Sequence, residues 1–80
     1  MLTGQQIRMA RSALKWSTRE LAERTGLAMK TIQRIEATDR TPSSFSSTLI
    51  DLKNCFESAG IEFIGTPEDG PGVRIRSQKG

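Results

Sequence analysis

In the stretch Met29-Lys30-Thr31-Ile32-Gln33-Arg34-Ile35-Glu36, side chains able to read or grip a polyanion are interleaved with apolar ones. On a helix, Ile32 and Ile35 fall on one face, while Met29, Lys30, Gln33 and Arg34 fall on the other. An ammonium donates to guanine O6 or N7, and a carboxamide donates and accepts as an adenine edge requires. The Arg34 guanidinium suits either a base edge or a phosphate, and Met29 offers apolar contact, for example to a thymine methyl. The same four residues would also make the solvated face of an ordinary small helix, so their surroundings decide between the two.

Other chemistry has little to work with. The chain contains no histidine, the commonest general base and metal ligand. Cys55 is the single cysteine, so neither a Cys–His nucleophile pair nor a zinc site can be assembled, and no disulfide framework exists. No Gly-rich phosphate loop of the G-x-x-x-x-G-K-[ST] kind is present. The expectation is a protein that is not an enzyme, with no cofactor and no metal, in which Cys55 is an inert thiol beside an apolar stripe.

Composition bounds the rest. Eighty residues make one domain, and 35% hydrophobic content is low enough that a partner subunit would help stabilise it. The net charge of +3 is a mild bias, but its distribution is uneven. Residues 1–40 hold eight cationic side chains against four acidic ones, a surplus of four, and the remainder is close to neutral. No apolar run approaches a membrane span of roughly 18 residues, and no signal-peptide pattern opens the chain, so a cytoplasmic location is expected.

The elements that position the polar face can be read in turn. Thr3-Gly4-Gln5-Gln6 has capping-box spacing and starts a helix to about Lys15, with Ile7, Ala10, Arg11 and Leu14 on one face and Trp16 closing the core. Ser17-Thr18-Arg19-Glu20 is a second box, opening a helix from Thr18 to Arg24 with Leu21 and Ala22 inward. Gly26 stops it, Leu27 is expected buried, and the next helix follows so closely that the two must cross steeply, a helix-turn-helix. Pro42 marks a polar connector. A fourth helix from Phe45 or Ser46 to Ala59 buries Phe45, Leu49, Leu52, Phe56 and Ala59, and Gly60 ends it.

Beyond Gly60 the pattern changes. Residues 61–64 and 73–76 are short, β-prone and alternating, and turn formers separate them, which predicts a β-hairpin. Pairing Phe63 with Ile75 would set Glu62 opposite Arg76. An isolated hairpin is marginal and leaves open edges, so Ile61, Phe63, Ile64, Val73 and Ile75 are expected to make a homodimer interface. The plainer possibility is that the hairpin packs on the fourth helix of its own chain. The expected organisation is a helical unit over 1–60, a hairpin over 61–77 and a tail over 78–80.

Ile7-Arg8-Met9-Ala10-Arg11, Trp16-Ser17-Thr18-Arg19-Glu20-Leu21-Ala22, Gly26-Leu27 and Thr31-Ile32-Gln33-Arg34-Ile35-Glu36 together resemble the Xre/Cro family of phage-repressor-like regulators, over roughly residues 3–59. The piece from Ala59 to Phe63, with Gly70 to Arg74, is similar to compact single-domain bacterial or phage members. The resemblance implies a mainly α, lambda-repressor-like helix-turn-helix bundle of about four helices, here with a C-terminal β-hairpin. It also implies a homodimeric transcriptional repressor that binds double-stranded DNA at a two-fold operator. Arg11 and Glu36 match a family ion pair that ties two helices together. In this setting Met29, Lys30, Gln33 and Arg34 are expected to read bases. Ser17, Thr18, Thr31, Arg40, Thr41 and Ser43 are expected to contact phosphates. Two departures stand out: Ala28 occupies the position where the family commonly places a Ser or Thr cap, and the hairpin replaces its usual last helix. The alternatives are an antitoxin that also binds a protein toxin, a partner of an antirepressor, or an interaction module that no longer binds DNA.

Overall fold

The computed structural model describes residues 2–38, 46–66 and 68–76. Four helices are followed by a two-stranded antiparallel hairpin: α1 (Gly4–Leu14), α2 (Thr18–Thr25), α3 (Met29–Glu36), α4 (Ser46–Ser58), β1 (Ile61–Ile64) and β2 (Gly72–Ile75). The expectation for Phe45 lies outside the described residues.

Local signals set the helix limits. Thr3 caps α1 in the reciprocal manner expected: its hydroxyl accepts the Gln6 N–H at 3.0 Å, and Gln6 Oε1 accepts the Thr3 N–H at 3.0 Å. Lys15 ends α1 in the left-handed conformation at φ 59°. Ser17 Oγ accepts the Glu20 N–H at 3.0 Å, but the second half of that box is not made. The Glu20 carboxylate instead accepts from Arg24 Nη2 at 2.9 Å, one turn along α2, so it braces the helix rather than capping it. Gly26, at φ 77°, reverses the chain into α3, and Leu27 is half-buried rather than fully enclosed.

One core joins every element. Ile7 and Ala10 of α1, Leu21 of α2, Ile32 and Ile35 of α3, Leu49, Leu52 and Phe56 of α4, and Ile61 of β1 are all buried. Phe56 lies at its centre, stacked on Trp16 with centroids 5.7 Å apart and edge-on to Phe63 at 5.9 Å. Burying a side chain of this size contributes about 1.5–3 kcal/mol. The Arg24 guanidinium carbon also lies over the Trp16 ring, 4.2 Å from its centroid, a cation–π contact at the margin of the core.

The hairpin departs from expectation in three ways. Its register is shifted by two residues: Ile61 faces Ile75, Glu62 faces Arg74 and Phe63 faces Val73. The ladder starts at the helix end, where the Arg76 N–H donates to the Gly60 carbonyl at 2.7 Å. A two-residue slip leaves each side chain on its expected face. Glu62 therefore still meets arginine, pairing with Arg76 at 2.6 Å and with Arg74 at 3.3 Å. Second, the hairpin packs on α4, the plainer of the two possibilities raised from the sequence, and also on α1: α4 meets β1, α1 meets β2, and Ile61 belongs to the common core. Third, of the residues expected at a dimer surface this packing buries Ile61 and half-buries Phe63 and Val73, leaving Ile64 and Ile75 exposed.

A buried amide fixes the hairpin to the first helix. Gln6 is 2% exposed, and its Nε2 donates to the carbonyls of Ile64 at 3.1 Å and Gly72 at 3.0 Å. Its oxygen already serves the Thr3 cap, so one side chain ties the start of α1 to the mouth of the hairpin.

Candidate nucleic-acid interface

α3 is short, and its two faces differ completely. Ile32 and Ile35 are wholly buried and Glu36 nearly so, whereas Met29, Lys30, Gln33 and Arg34 are exposed. All four expected base-reading residues thus share the outer face of one helix. Thr31, expected at a phosphate, is half-buried at its margin.

Both α1 and α2 pack against α3, and α1 supplies the polar ties that hold this face outward. Arg11 forms a two-pronged pair with the Glu36 carboxylate, Nε to Oε2 at 2.9 Å and Nη2 to Oε1 at 3.0 Å. Its remaining Nη1 donates to the Trp16 carbonyl at 3.1 Å. The Glu36 hydrogen bond is the main influence keeping the Arg11 guanidinium above its ordinary pKa, against the opposing effect of burial. A fork of this kind fixes direction as well as distance, because two parallel bonds resist rotation of either group. Arg8, one turn earlier on α1, donates to the Glu36 main-chain carbonyl.

Gly4 completes the attachment. A Cβ there would collide with the carbonyl oxygens of Ile35 and Thr38, so the N-terminus of α1 approaches the end of α3 backbone to backbone. The partial positive charge of the α1 N-terminus thereby lies against main-chain carbonyls at and just beyond the end of α3, of which that of Ile35 also accepts the Thr38 N–H. The family resemblance implied the Arg11–Glu36 pair, and capping-box spacing assigned Gln6 its capping role, but the close approach at Gly4, the Arg8 bond and the reach of Gln6 to the hairpin were missed. Arg8 had a signal, standing three residues before Arg11 on the same helix flank. Gly4 had none, because its neighbours are distant in sequence.

At its other end α3 is weakly secured. Ala28 has the extended cap conformation, φ −71° and ψ 142°, but no side chain accepts from the first turn. Ser17 has nearly the same backbone at the start of α2, φ −77° and ψ 165°, with its hydroxyl engaged. A hydroxyl that accepts from Glu20 keeps its own proton to donate, so exposed Ser17 remains suited to an anion. Thr18 beside it is half-buried. Arg40, Thr41 and Ser43, expected to reach phosphates, lie outside the described residues.

Cys55 is half-buried against the core, and burial raises its thiol pKa despite the opposing charge of Arg24. Among the described residues no group of three His, Cys, Asp or Glu could hold a metal ion, and no helix is long and apolar enough to cross a membrane. No protein-family model matches the chain, and no curated protein matches its sequence.

Proposed function

We propose that α3 is the recognition helix of a sequence-specific double-stranded DNA-binding protein, a transcriptional repressor acting as a pair of chains on a two-fold operator. The observation that supports this most is the division of α3 itself. Its polar residues lie together on an open face, and its inner face is held by two isoleucines and a forked ion pair. A rigidly attached helix with a wholly polar or adaptable outer face suits the major groove. Lys30 addresses guanine, Gln33 adenine, Arg34 a base edge or a phosphate, and Met29 an apolar edge. Ser17 and Thr18 contact the sugar–phosphate backbone from the start of α2, joined by Thr31, Arg40, Thr41 and Ser43.

The test is selection from a random duplex library at low salt, followed by titration of the enriched sites. Gln33→Ala and Lys30→Ala are expected to change which sites are preferred. Arg40→Ala is expected to weaken all sites alike and to reduce the salt slope by about one. Failure to enrich any duplex defeats the proposal, and uniform weakening by all three variants defeats the base-reading assignment. Sedimentation of the complex tests the pairing: two chains per operator are expected, with recognition helices ~34–36 Å apart.

A further inference from the structure

The hairpin register determines which of its main-chain groups point outward. The Arg76-to-Gly60 bond makes Ile61–Ile75 a non-hydrogen-bonded pair, and Phe63–Val73 is the next of that type. The N–H and C=O groups of Val73 and Ile75 therefore face away from β1. Among the described residues no hydrogen bond reaches them. Beside this edge runs an open groove of about 580 Å³, lined by Val73 together with Gln5, Arg8, Met9, Arg11 and Ser12 of α1, so that its apolar residues lie among two arginines. Ile75, next along the strand, is 65% exposed on the same face of the sheet as Val73.

We propose that the free edge of β2 takes an acidic, extended peptide segment of another protein as a third strand. The segment alternates apolar and carboxylate side chains. Main-chain bonds at Val73 and Ile75 supply the attachment, as in strand addition generally. Guest residues opposite Val73 and Ile75 turn their side chains toward the α1 groove, where Met9 and Val73 favour apolar groups. Those opposite Arg74 and Arg76 lie on the outer face. There two arginines share the single carboxylate of Glu62, leaving one positive charge in excess.

A second copy of this chain fits the edge poorly. Two-fold antiparallel pairing must set outward-pointing residues against each other. Val73 against Ile75 places Arg74 across from Arg74, and Ile75 against Ile75 places Arg74 across from Arg76; like charges so placed destabilise a ladder. Val73 against Val73 brings Pro71 opposite Ile75, where proline has no N–H to give. Arginine on an exposed edge thus discourages self-association while leaving the edge open to carboxylates.

The probe is a capped hexapeptide alternating valine and glutamate, titrated into the isotope-labelled full chain. The amide resonances of Val73 and Ile75 are expected to shift and their hydrogen exchange to slow, and a valine–lysine peptide is expected to bind about tenfold more weakly. Ile75→Pro removes an outward donor without removing a ladder bond, so a melting transition like the wild type together with loss of peptide binding is expected. Should that variant unfold, the exposed pair Arg74→Ser and Arg76→Ser takes its place, and the preference for glutamate is expected to give way to one for lysine, because Glu62 is then left without its arginines. Equal binding of the two peptides overturns the proposal, as does undiminished binding by folded Ile75→Pro or a preference that survives the serine changes. It is also overturned if Val73 and Ile75 exchange slowly without peptide in a concentration-dependent way, which means that a second copy holds the edge. Duplex DNA shifting these amides in place of those of α3 overturns it too.

Discussion

Glu36 is where the fold and the outer face of α3 meet most closely, since its carboxylate and its carbonyl both answer to arginines of α1. Replacing Glu36 by Gln leaves Arg11 poorly matched in a site where only 23% of its side chain is exposed. The expected cost is about 3 kcal/mol, near the lower end for a broken buried pair because Arg11 retains some water, and urea unfolding measures it. Gly4→Ala tests the backbone approach next to it, with an expected loss of about 1–3 kcal/mol from overpacking. Glu62 gives a pH signature. The Arg76 hydrogen bond is the main cause holding its carboxyl below the usual range, with burial opposing. A carboxyl lowered in the folded state stabilises the fold above its ordinary value, about 4.3, and that contribution is lost as pH falls through the lowered value. Following the Glu62 side-chain resonance against pH checks this, and Arg76→Ala is expected to move the titration upward.

At the scale of elements, the start of α3 is the place to gain stability. Ala28 already holds a capping backbone, so Ala28→Ser is expected to add about 0.5–2 kcal/mol, read as a raised urea midpoint. Such local features were legible in the sequence because their cause lies within a turn: the caps at Thr3 and Ser17, the Gly26 reversal, the apolar stripe of α4 and the absent cap at Ala28. The four outward residues of α3 were legible for the same reason, being set by helical period alone. Glu20 was misassigned because Arg24, one turn away, competes for its carboxylate more effectively than a main-chain N–H. The hairpin register escaped because alternation fixes faces, not which residue lies opposite which. Its packing on α4 was one of the two possibilities the sequence left open, but its tie to α1 escaped because Gln6 reaches partners 58 and 66 positions away.

For the molecule as a whole, α1 is the shared support. It carries α3 through Gly4, Arg8 and Arg11, and the hairpin through Gln6. Gln6→Leu keeps the volume but leaves the Thr3 N–H and two carbonyls without their amide, at an expected cost of about 1–3 kcal/mol. If α1 couples the two ends, hydrogen exchange is expected to quicken in α3 as well as in β1 and β2. Quickening confined to the strands would show that the ends move independently. The same ties bear on how the chain matures as it is synthesised. An eleven-residue helix is marginal alone, and α1 leaves the ribosome before any of its distant partners exist. Arg11 has no carboxylate until residue 36 emerges, and the Gln6 amide must wait for residue 72. Although made before its partners, α1 is therefore secured in two stages: its hold on α3 can form once residue 36 has emerged, and its hold on the hairpin is complete only with β2.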